Sequence, residues 1–293
     1  MVTIGTFDGV HMGHRKILDK VITEAELRNE ESVVLTFYPH PRFILNENSD
    51  LKLLNTIEEK TELLSKTGLD ALIIHPFSKE FANLSAEEFV KTILVDQLHI
   101  SKIIIGYDHK FGKNRTADIH DLIQFGAKYN FEVEQITAQE LDEIAVSSTK
   151  IRTALGEGNI TLANNYLGYP YSLSGKVIHG NQIGRTIGFP TANIQMADTF
   201  KLIPKKGVYV VRCLIKDQLV KGVMNIGNRP TVDGTSLSIE VHLLDFDATL
   251  YGFEISVYLL DFIRDEQKFE NLEALTSQIE DDKKKAIQFL KNT

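Results

Sequence analysis

The segment GTFDGVHMGH, residues 5–14, constrains the fold most, because it joins a short apolar strand to a helix through a glycine-rich turn. Residues 2–4 form the predicted strand, and apolar residues recur at helical spacing beyond the turn, at Ile17, Leu18, Val21, Ile22 and Ala25. Gly5 and Gly9 relax the turn, and Gly13 lets the chain approach a ligand closely before the helix begins. Such a turn is typical of a phosphate site, because N–H groups at a helix N-terminus face the anion.

Two histidines belong to this segment. His11 and His14 stand three residues apart, so both rings can face the positive end of the helix. Imidazoles beside exposed N–H groups suit nucleotide phosphates better than a metal, since no third metal ligand stands nearby. The alternative is a pair of ordinary surface histidines, but the surrounding FDGV and the strand-to-helix context favour the phosphate site.

Length and composition limit the class of protein. The 293 residues are too many for one small core and comfortable for two domains. A formal net charge of −8 argues against a general binder of nucleic acid or anionic membranes, which would be basic. The single cysteine, Cys213, excludes an internal disulfide, and in the strand-like VYVVRCLI we expect it to be packed rather than catalytic. No signal peptide and no run of about 18 apolar residues is present, so we expect a cytoplasmic protein. We also expect a monomer or weak homo-oligomer.

The first half of the chain alternates strands with amphipathic helices. Strands are predicted over 33–37, 71–74, 103–105 and 131–136, and helices over 56–66, 85–98 and 118–129. This alternation predicts a parallel, Rossmann-like α/β sheet. Ligands of such sheets lie at the carboxyl ends of the strands, so the segments that follow each strand are the candidate binding loops.

Two of these loops hold polar side chains. FYPHPR presents His40 between Pro39 and Pro41, and GYDHKFGKNR holds Asp108 and His109 between two glycines, with basic residues beside them. Either could be an ordinary surface loop. Their shared position at one sheet edge with residues 5–14 favours a binding site.

The segment VSSTKIRTAL combines a helix start with cations. Ser147, Ser148 and Thr149 offer an N-cap and free N–H groups, and Lys150 and Arg152 place positive charge at the helix start. A capped, solvated helix is the plain alternative. The functional alternative is a second phosphate clamp that faces the two histidines.

From Tyr169 onward the pattern becomes β. Strand-like stretches at 173–179, 208–215, 220–224, 239–244 and 255–260 predict a closed or nearly closed antiparallel barrel of the six-stranded type. A connecting helix over 159–167 places the domain boundary near Gly168, which gives domains 1–168 and 169–293. A final helix is predicted over 271–290, with its run EDDKKK as a solvated face.

The barrel has its own polar cluster. Residues 175–185 form a predicted flexible, cationic loop suited to phosphates, with Gly175, Lys176, His179, Gly180, Gly184 and Arg185. Thr191 and Asn193 present hard oxygen ligands on one side of an extended segment, which suit Mg²⁺ shared with phosphate. Glu240 alternates away from Ile239 and Val241 in SIEVHLLDF, and a carboxylate that faces a substrate hydroxyl is a natural general base.

Together these motifs resemble the bacterial bifunctional riboflavin kinase/FMN adenylyltransferases, also called FAD synthetases. The resemblance runs through TIGTFDGVHMGH, TFYPHPR, GYDHKFGKNR, SSTKIR, HGNQIGRTIGFPTANI, MNIGNRPT, SIEVHLLDF and LYGFEISVYLLDFIRDEQKF. It implies that the barrel phosphorylates riboflavin with MgATP. It also implies that the α/β half joins FMN to the α-phosphate of a second ATP, which releases pyrophosphate and gives FAD.

The resemblance also implies residue roles. In the barrel, Glu240 would take the ribityl proton, Thr191 and Asn193 would hold Mg²⁺, and the 175–185 loop would bind ATP phosphates. The flavin side of the barrel would include Asn225, Arg229 and Arg264. In the α/β half, His11, His14 and Arg152 would stabilise phosphate charge, and His40, Pro41 and Asp108 look like the flavin or adenine side. The ATP phosphates there would meet Gly5, Thr6, Phe7, Asp8, Gly9, Gly13, Ser147, Ser148 and Thr149.

Two other functions stay open at the level of sequence. Family members carry further residues before the first strand, so we expect a late or truncated start here, and a chain with only the kinase half active is one alternative. The other is a flavin- or nucleotide-binding regulatory module. A base and a metal site at Glu240, Thr191 and Asn193 speak against this module, because a pure sensor needs neither.

Overall fold

The computed structural model describes residues 1–46, 48–107, 109–137, 146–180, 183–231 and 234–292. The chain divides into two compact units, Met1–Ser148 and Thr149–Thr293. The predicted domain boundary near Gly168 lies beyond this division and stays a prediction. Gly168 itself ends a helix in the left-handed region, with φ 78°.

The first unit is built on a five-stranded sheet in the order β3-β2-β1-β4-β5, and its strands pair in parallel. The strands are β1 (Val2–Ile4), β2 (Val33–Tyr38), β3 (Ala71–Pro76), β4 (Lys102–Gly106) and β5 (Glu132–Ile136). The predicted parallel sheet is therefore confirmed. The strand order reverses between β1 and β4, so a crevice is expected where these two strands end.

Helices with recognisable end signals surround this sheet. They are α1 (Met12–Arg28), α2 (Pro41–Leu45), α3 (Ile57–Ser65), α4 (Lys79–Ala82), α5 (Ala86–Phe89) and α6 (Ile119–Tyr129), with a 3₁₀ turn at Lys113–Arg115. A capping box formed by Thr56 and Glu59 begins α3. The single helix predicted over 85–98 is α-helical only to Phe89 and becomes π-helical over Val90–Val95, where the amide of Asp96 bonds Lys91 O at 2.9 Å.

The sheet is buried because apolar side chains cover both of its faces. The central strands contribute fully buried residues such as Val34, Leu35 and Ile104. One face packs on α5, the π-helical turn and α6 through a cluster that includes Phe89, Leu94 and Leu122, and Val21 and Ala25 of α1 belong to a cluster with Ile104. The short apolar strands of the sequence thus become the core of an α/β sandwich.

The second unit is a closed antiparallel barrel in the strand order β10-β7-β6-β11-β8-β9. Its strands are β6 (Ser172–Ile178), β7 (Ala192–Gln195), β8 (Gly207–Ile215), β9 (Gln218–Thr231), β10 (Gly234–Leu243) and β11 (Glu254–Arg264). The accompanying helices are α7 (Ser148–Glu157), α8 (Ile160–Leu167), α9 (Ile183–Thr186) and α10 (Leu272–Lys291). The six-stranded barrel and the terminal helix are confirmed.

Two local predictions in this unit are wrong. Gly175 and Lys176 belong to β6 rather than to a flexible loop, and a Cβ on Gly175 would come within 2.5 Å of Gln195 O, so the glycine permits close packing on β7. The run EDDKKK is not wholly solvated, since Asp282 is buried. Its position four and eight residues before Ala286 and Leu290 places it in the buried stripe of α10.

Cys213 has the packed role expected from the sequence. It is fully buried in β8, and burial raises the pKa of its thiol to about 12, which leaves no thiolate for catalysis near neutral pH. Among the helices of the described ranges, none has the length and apolar character needed to cross a membrane.

Candidate active sites

The turn after β1 has an unusual backbone. Phe7 and Val10 adopt left-handed φ values of 44° and 36°, and Gly9 lies at 92°. Non-glycine residues are costly in this region, and here both side chains are buried, which holds the turn in place. Gly5 does not adopt a positive φ. Gly13 lies inside the first turn of α1 rather than before it, and a Cβ there would meet the His11 ring at 3.3 Å.

The two histidines stack at the N-terminus of α1. Their ring centroids are 3.7 Å apart with an interplanar angle of 14°. His11 caps the helix, because its Nδ1 accepts a hydrogen bond from the backbone N–H of His14 at 3.3 Å. Neutral His11 therefore carries its proton on Nε2, where it can be donated. The sequence expectation that both rings share one place is confirmed.

His14 is held in its neutral form. Burial, together with the positive charge of Lys60 and the His11 ring, keeps the pKa of His14 well below its usual value. Its Nδ1 is buried and has no hydrogen-bond partner among the described residues. A neutral imidazole with one unused nitrogen beside a helix N-terminus is suited to a ligand that brings its own oxygens.

Hydrogen bonds of Asp8 and Lys60 stabilise this turn. The Asp8 carboxylate, expected at the phosphates, accepts hydrogen bonds from the backbone N–H groups of Leu54 and Asn55 at 2.9 and 3.4 Å. Lys60 of α3 donates to Thr6 O at 2.6 Å. Sequence analysis did not single out Lys60, because a lysine in an amphipathic helix is usually solvated. Here it is 6% exposed.

The predicted clamp of VSSTKIR reaches this turn. The Ser148 hydroxyl donates to Asp8 O at 2.9 Å, and Val146 O lies 3.8 Å from the Cβ position of Gly13. Ser147 is exposed beside it. Thr149 and Arg152 lie on the first two turns of α7, which belong to the second compact unit.

The other two strand-end loops contain the predicted residues His40, Pro41 and Asp108. His40 caps α2, since its Nδ1 accepts from the Arg42 N–H at 3.2 Å, and Pro41 is the first residue of that helix. Asp108 lies outside the described residues. A row of ring contacts, each 4.4–6.1 Å between centroids, was not foreseen, because its members are scattered along the chain; it joins His75, Phe77, Phe37, Phe81, Phe89, Phe111 and His109.

The barrel brings its predicted oxygen ligands together. Glu240 of β10 stands directly opposite Asn193 of β7. Thr191 Oγ1 donates to Glu240 Oε2 at 3.1 Å, and Ser238 Oγ donates to Oε1 at 2.8 Å. Ser238, which sequence analysis missed, stands two residues before the carboxylate on the same strand face. The result is a carboxylate oriented by two hydroxyls beside a buried amide.

Gly175 and Gly180 allow the chain to pack closely against β7. A Cβ on Gly180 would clash with the Asn193 side-chain amide, and Gly184 O accepts the Phe189 N–H at 2.7 Å. His179 stacks on Tyr251 with ring centroids 3.7 Å apart. The cationic side chain of Arg185 is exposed at the end of α9. Gly180 therefore packs against the amide of Asn193, which stands opposite Glu240.

The expected flavin side is partly engaged within the protein. Asn225 pairs with Glu240 across β9 and β10. The Arg264 guanidinium bonds the buried Asp282 carboxylate, with Nη2–Oδ2 at 2.7 Å. Glu266 accepts the Asn228 N–H at 3.2 Å. The side chain of Arg229 lies outside the described part of the structure.

These features define a class of protein: an α/β unit with two stacked imidazoles at a helix N-terminus, followed by a closed barrel with a carboxylate oriented by two hydroxyls opposite a buried amide. Comparison with known proteins is specific. Residues 1–150 match the family model of FAD synthetase, and residues 167–290 match that of riboflavin kinase. The chain belongs to the bifunctional riboflavin kinase/FMN adenylyltransferase family.

Individual relatives agree over nearly the whole chain. Bifunctional riboflavin kinase/FMN adenylyltransferase of Escherichia coli K12 is 39% identical over 99% of this chain and 92% of its own length. The protein of that description from Listeria monocytogenes is 39% identical over 96% and 90%. A crystal structure described as a macrolide-efflux protein from Streptococcus pneumoniae is 32% identical, with a TM-score of 0.86 over 97% of this chain and 92% of that one.

Proposed function

We propose that this chain makes FAD from riboflavin in two ATP-dependent steps, the reactions for which its family is named, and that the two residue sets described above perform them. The barrel phosphorylates riboflavin to FMN. The α/β unit adenylylates FMN and releases pyrophosphate. The single observation that supports this best is Glu240, oriented by Thr191 and Ser238 and opposite Asn193, because a sensor has no need of such a base.

In the kinase step, Glu240 accepts the proton of the terminal ribityl hydroxyl. The hydroxyl oxygen then bonds the γ-phosphorus of ATP while the bond to ADP breaks. The hydroxyls of Thr191 and Ser238 hold the carboxylate in place, so little reorganisation is needed during the reaction. The segment with His179, Gly180 and Arg185 binds the phosphates, and Asn225, Arg229 and Arg264 shape the flavin side.

Mg²⁺ fits the barrel site. Thr191 and Asn193, with Glu240 beside them, offer hard oxygen donors, which Mg²⁺ prefers when it is shared with phosphate oxygens and water. The described residues contain no cluster of three His, Cys, Asp or Glu side chains arranged for a metal, so a dedicated all-protein cage is not part of this proposal. The ion would neutralise charge on the phosphates.

In the adenylylation step, an FMN phosphate oxygen bonds the α-phosphorus of ATP while the bond to pyrophosphate breaks. His11 Nε2–H and the neutral His14 ring donate to the phosphate oxygens, with Ser148, Thr149 and Arg152 adding donors at the start of α7. No covalent enzyme intermediate is required. His40, Pro41 and Asp108 are proposed for the flavin or adenine side.

Chromatography of flavins tests both steps at once. The protein incubated with riboflavin and MgATP should form FMN first and FAD afterwards, and EDTA should stop the reaction. FMN that accumulates without FAD would leave only the kinase half active. Flavin binding without any turnover would instead favour a regulatory module.

We also propose a location, a domain boundary and an oligomeric state for this protein. The single free, buried Cys213 supports a reducing, cytoplasmic location. A functional boundary near Gly168 is supported by the end of α8 there. A monomer or weak homo-oligomer that binds no nucleic acid is supported by the net charge of −8.

A further inference from the structure

Lys60 is a buried cation with little compensation inside the protein. Its residue is 6% exposed, and among the described residues its ammonium has one hydrogen-bond acceptor, Thr6 O at 2.6 Å. An ammonium has three N–H donors, so two are left over. The nearby carboxylate of Asp8 is already bonded to the backbone of Leu54 and Asn55.

This arrangement destabilises the folded protein. Moving an ammonium out of water is unfavourable unless it is paired and hydrogen-bonded. Burial accordingly lowers the pKa of Lys60, and the charge of Asp8 only opposes this effect. A neutral donor could hold the Thr6 carbonyl at lower cost. The hydrogen bond to Thr6 alone therefore does not explain why a positively charged residue is buried here.

A second buried lysine of the same unit shows the contrast. Lys102, at the amino end of β4, is also 6% exposed, but it is ion-paired with both Glu24 and Glu134. Its charge is balanced by the protein. Lys60 has no ion pair among the described residues, although the charge of Asp8 acts on it, and it hydrogen-bonds the turn at the carboxyl end of β1, where the phosphates of the proposed function bind.

We propose that Lys60 is a positioning residue for adenylyl transfer, which holds the Thr6 carbonyl and supplies positive charge beneath the polyphosphate of ATP and the released pyrophosphate. The inference rests on the proposed function of the α/β unit. It commits Lys60 to the nucleotide rather than to FMN, because its one acceptor belongs to the turn that leads to the stacked histidines.

A second effect of Lys60 acts on His14. The groups that act on the charge of this ring are His11 and Lys60, and both oppose its protonation. Removal of the Lys60 charge therefore raises the pKa of His14. A change in the acid limb of the pH profile distinguishes this role from simple support of the turn.

The test compares Lys60→Met and Lys60→Arg with the matched control Lys102→Met. Lys60→Met should weaken inhibition by pyrophosphate and raise the KM for ATP at least about 10-fold, as expected for the loss of a buried positive charge near the phosphates. It should leave the KM for FMN unchanged and move the acid limb of FAD formation to higher pH. Lys60→Arg should restore most pyrophosphate affinity. Lys102→Met, if folded, should bind pyrophosphate like the unmodified protein.

Riboflavin phosphorylation in the same samples shows whether the barrel is folded, and FMN binding shows whether the α/β unit is folded. Equal pyrophosphate inhibition in Lys60→Met and Lys102→Met would overturn the inference. If Lys60→Met does not fold, NMR spectra of the unmodified protein with ¹³Cε-labelled lysines test the inference instead. Lys60→Arg then identifies the signal of Lys60. Pyrophosphate should shift the Lys60 signal and leave Lys102 in place, and an unchanged Lys60 signal would overturn the inference. If the unmodified protein makes no FAD from FMN, the proposed function fails first.

Discussion

The Glu240 carboxylate accepts hydrogen bonds from Ser238 and Thr191, which fixes its orientation toward the Asn193 side of the barrel. Glu240→Gln keeps the size of the side chain and removes the proton acceptor. It should abolish FMN formation, to below about 1% of the original rate, and leave FMN-to-FAD conversion intact. Each step is measured separately by flavin chromatography. Glu254→Gln, an exposed change on β11, is the control. Equal loss of both steps would contradict independent sites.

His14 has the complementary role in the other unit. His14→Ala removes a neutral donor at the helix N-terminus and should slow FAD formation by about 100-fold or more, if the ring stabilises charge that develops on the phosphates. Riboflavin phosphorylation by the same sample should not change. His120→Ala, at an exposed position of α6, controls for the loss of a histidine. A kinase defect of similar size in His14→Ala would show that the assignment is wrong.

The lowered pKa of His14 predicts how the stability of the first unit depends on pH. The unfolded chain has a histidine pKa of about 6.5. As the pH falls below that value, the unfolded state takes up a proton that the folded state does not, so the free energy of unfolding decreases. Denaturation at pH 7.5 and 5.5 should show a larger loss for the unmodified protein than for His14→Asn. The same loss in both would contradict a neutral, buried ring.

At the scale of elements, α10 is fastened to β11 by one buried ion pair. Asp282 is 2% exposed and bonds Nε and Nη2 of Arg264, while Gln278 donates to Oδ1 at 3.0 Å. Arg264 Nη1 also bonds Asp265 O, next to Glu266, which binds the end of β9. The terminal helix therefore supports the segment that is proposed to shape the flavin side.

Loss of the ion pair between Arg264 and Asp282 should destabilise the barrel. Asp282→Ala leaves the Arg264 guanidinium partly buried without its carboxylate, and should lower the free energy of unfolding by about 3–5 kcal/mol. The KM for riboflavin should rise as the segment loosens. Asp281→Ala is the matched control, because this neighbour is 57% exposed and, within the described residues, is ion-paired with Lys284 on the helix surface. Denaturant titrations should show a change within about 0.5 kcal/mol for it. Similar effects of both changes would contradict the role of the buried pair.

At the scale of the whole molecule, the family models of the two activities match separate parts of one chain, residues 1–150 and 167–290. We expect FMN to leave the barrel of one chain and to react in the α/β unit of another. A mixture of Glu240→Gln and His14→Ala proteins should then convert riboflavin to FAD, whereas each variant alone should not do so efficiently. If the mixture accumulates FMN while each variant keeps its own remaining activity, FMN is not exchanged between chains.

Much of the fold follows from local patterns. The strands of the sheet, five of the six barrel strands and the long helices were predicted, because periodicities of 2 and 3.6 residues are properties of short segments. Strand β7 (Ala192–Gln195) is predicted only as an extended segment, because four residues are too few to show an alternation of buried and exposed side chains. The π-helical turn at Val90–Val95 was missed because its sequence is that of an ordinary helix.

The sequence by itself predicts where phosphate chemistry belongs: residues 5–14, Glu240 and the pair Thr191 and Asn193 are candidates from motifs whose parts lie close together. The tertiary structure alone decided that Lys60 lies under the first site and that Asp282 holds Arg264. Lys60 and Thr6 are 54 residues apart, and Asp282 and Arg264 are on different elements. Periodicity shows which face of a helix is buried, but what that face meets depends on packing between distant elements. For a charged residue, that packing decides whether its charge is balanced by the protein or left for a ligand.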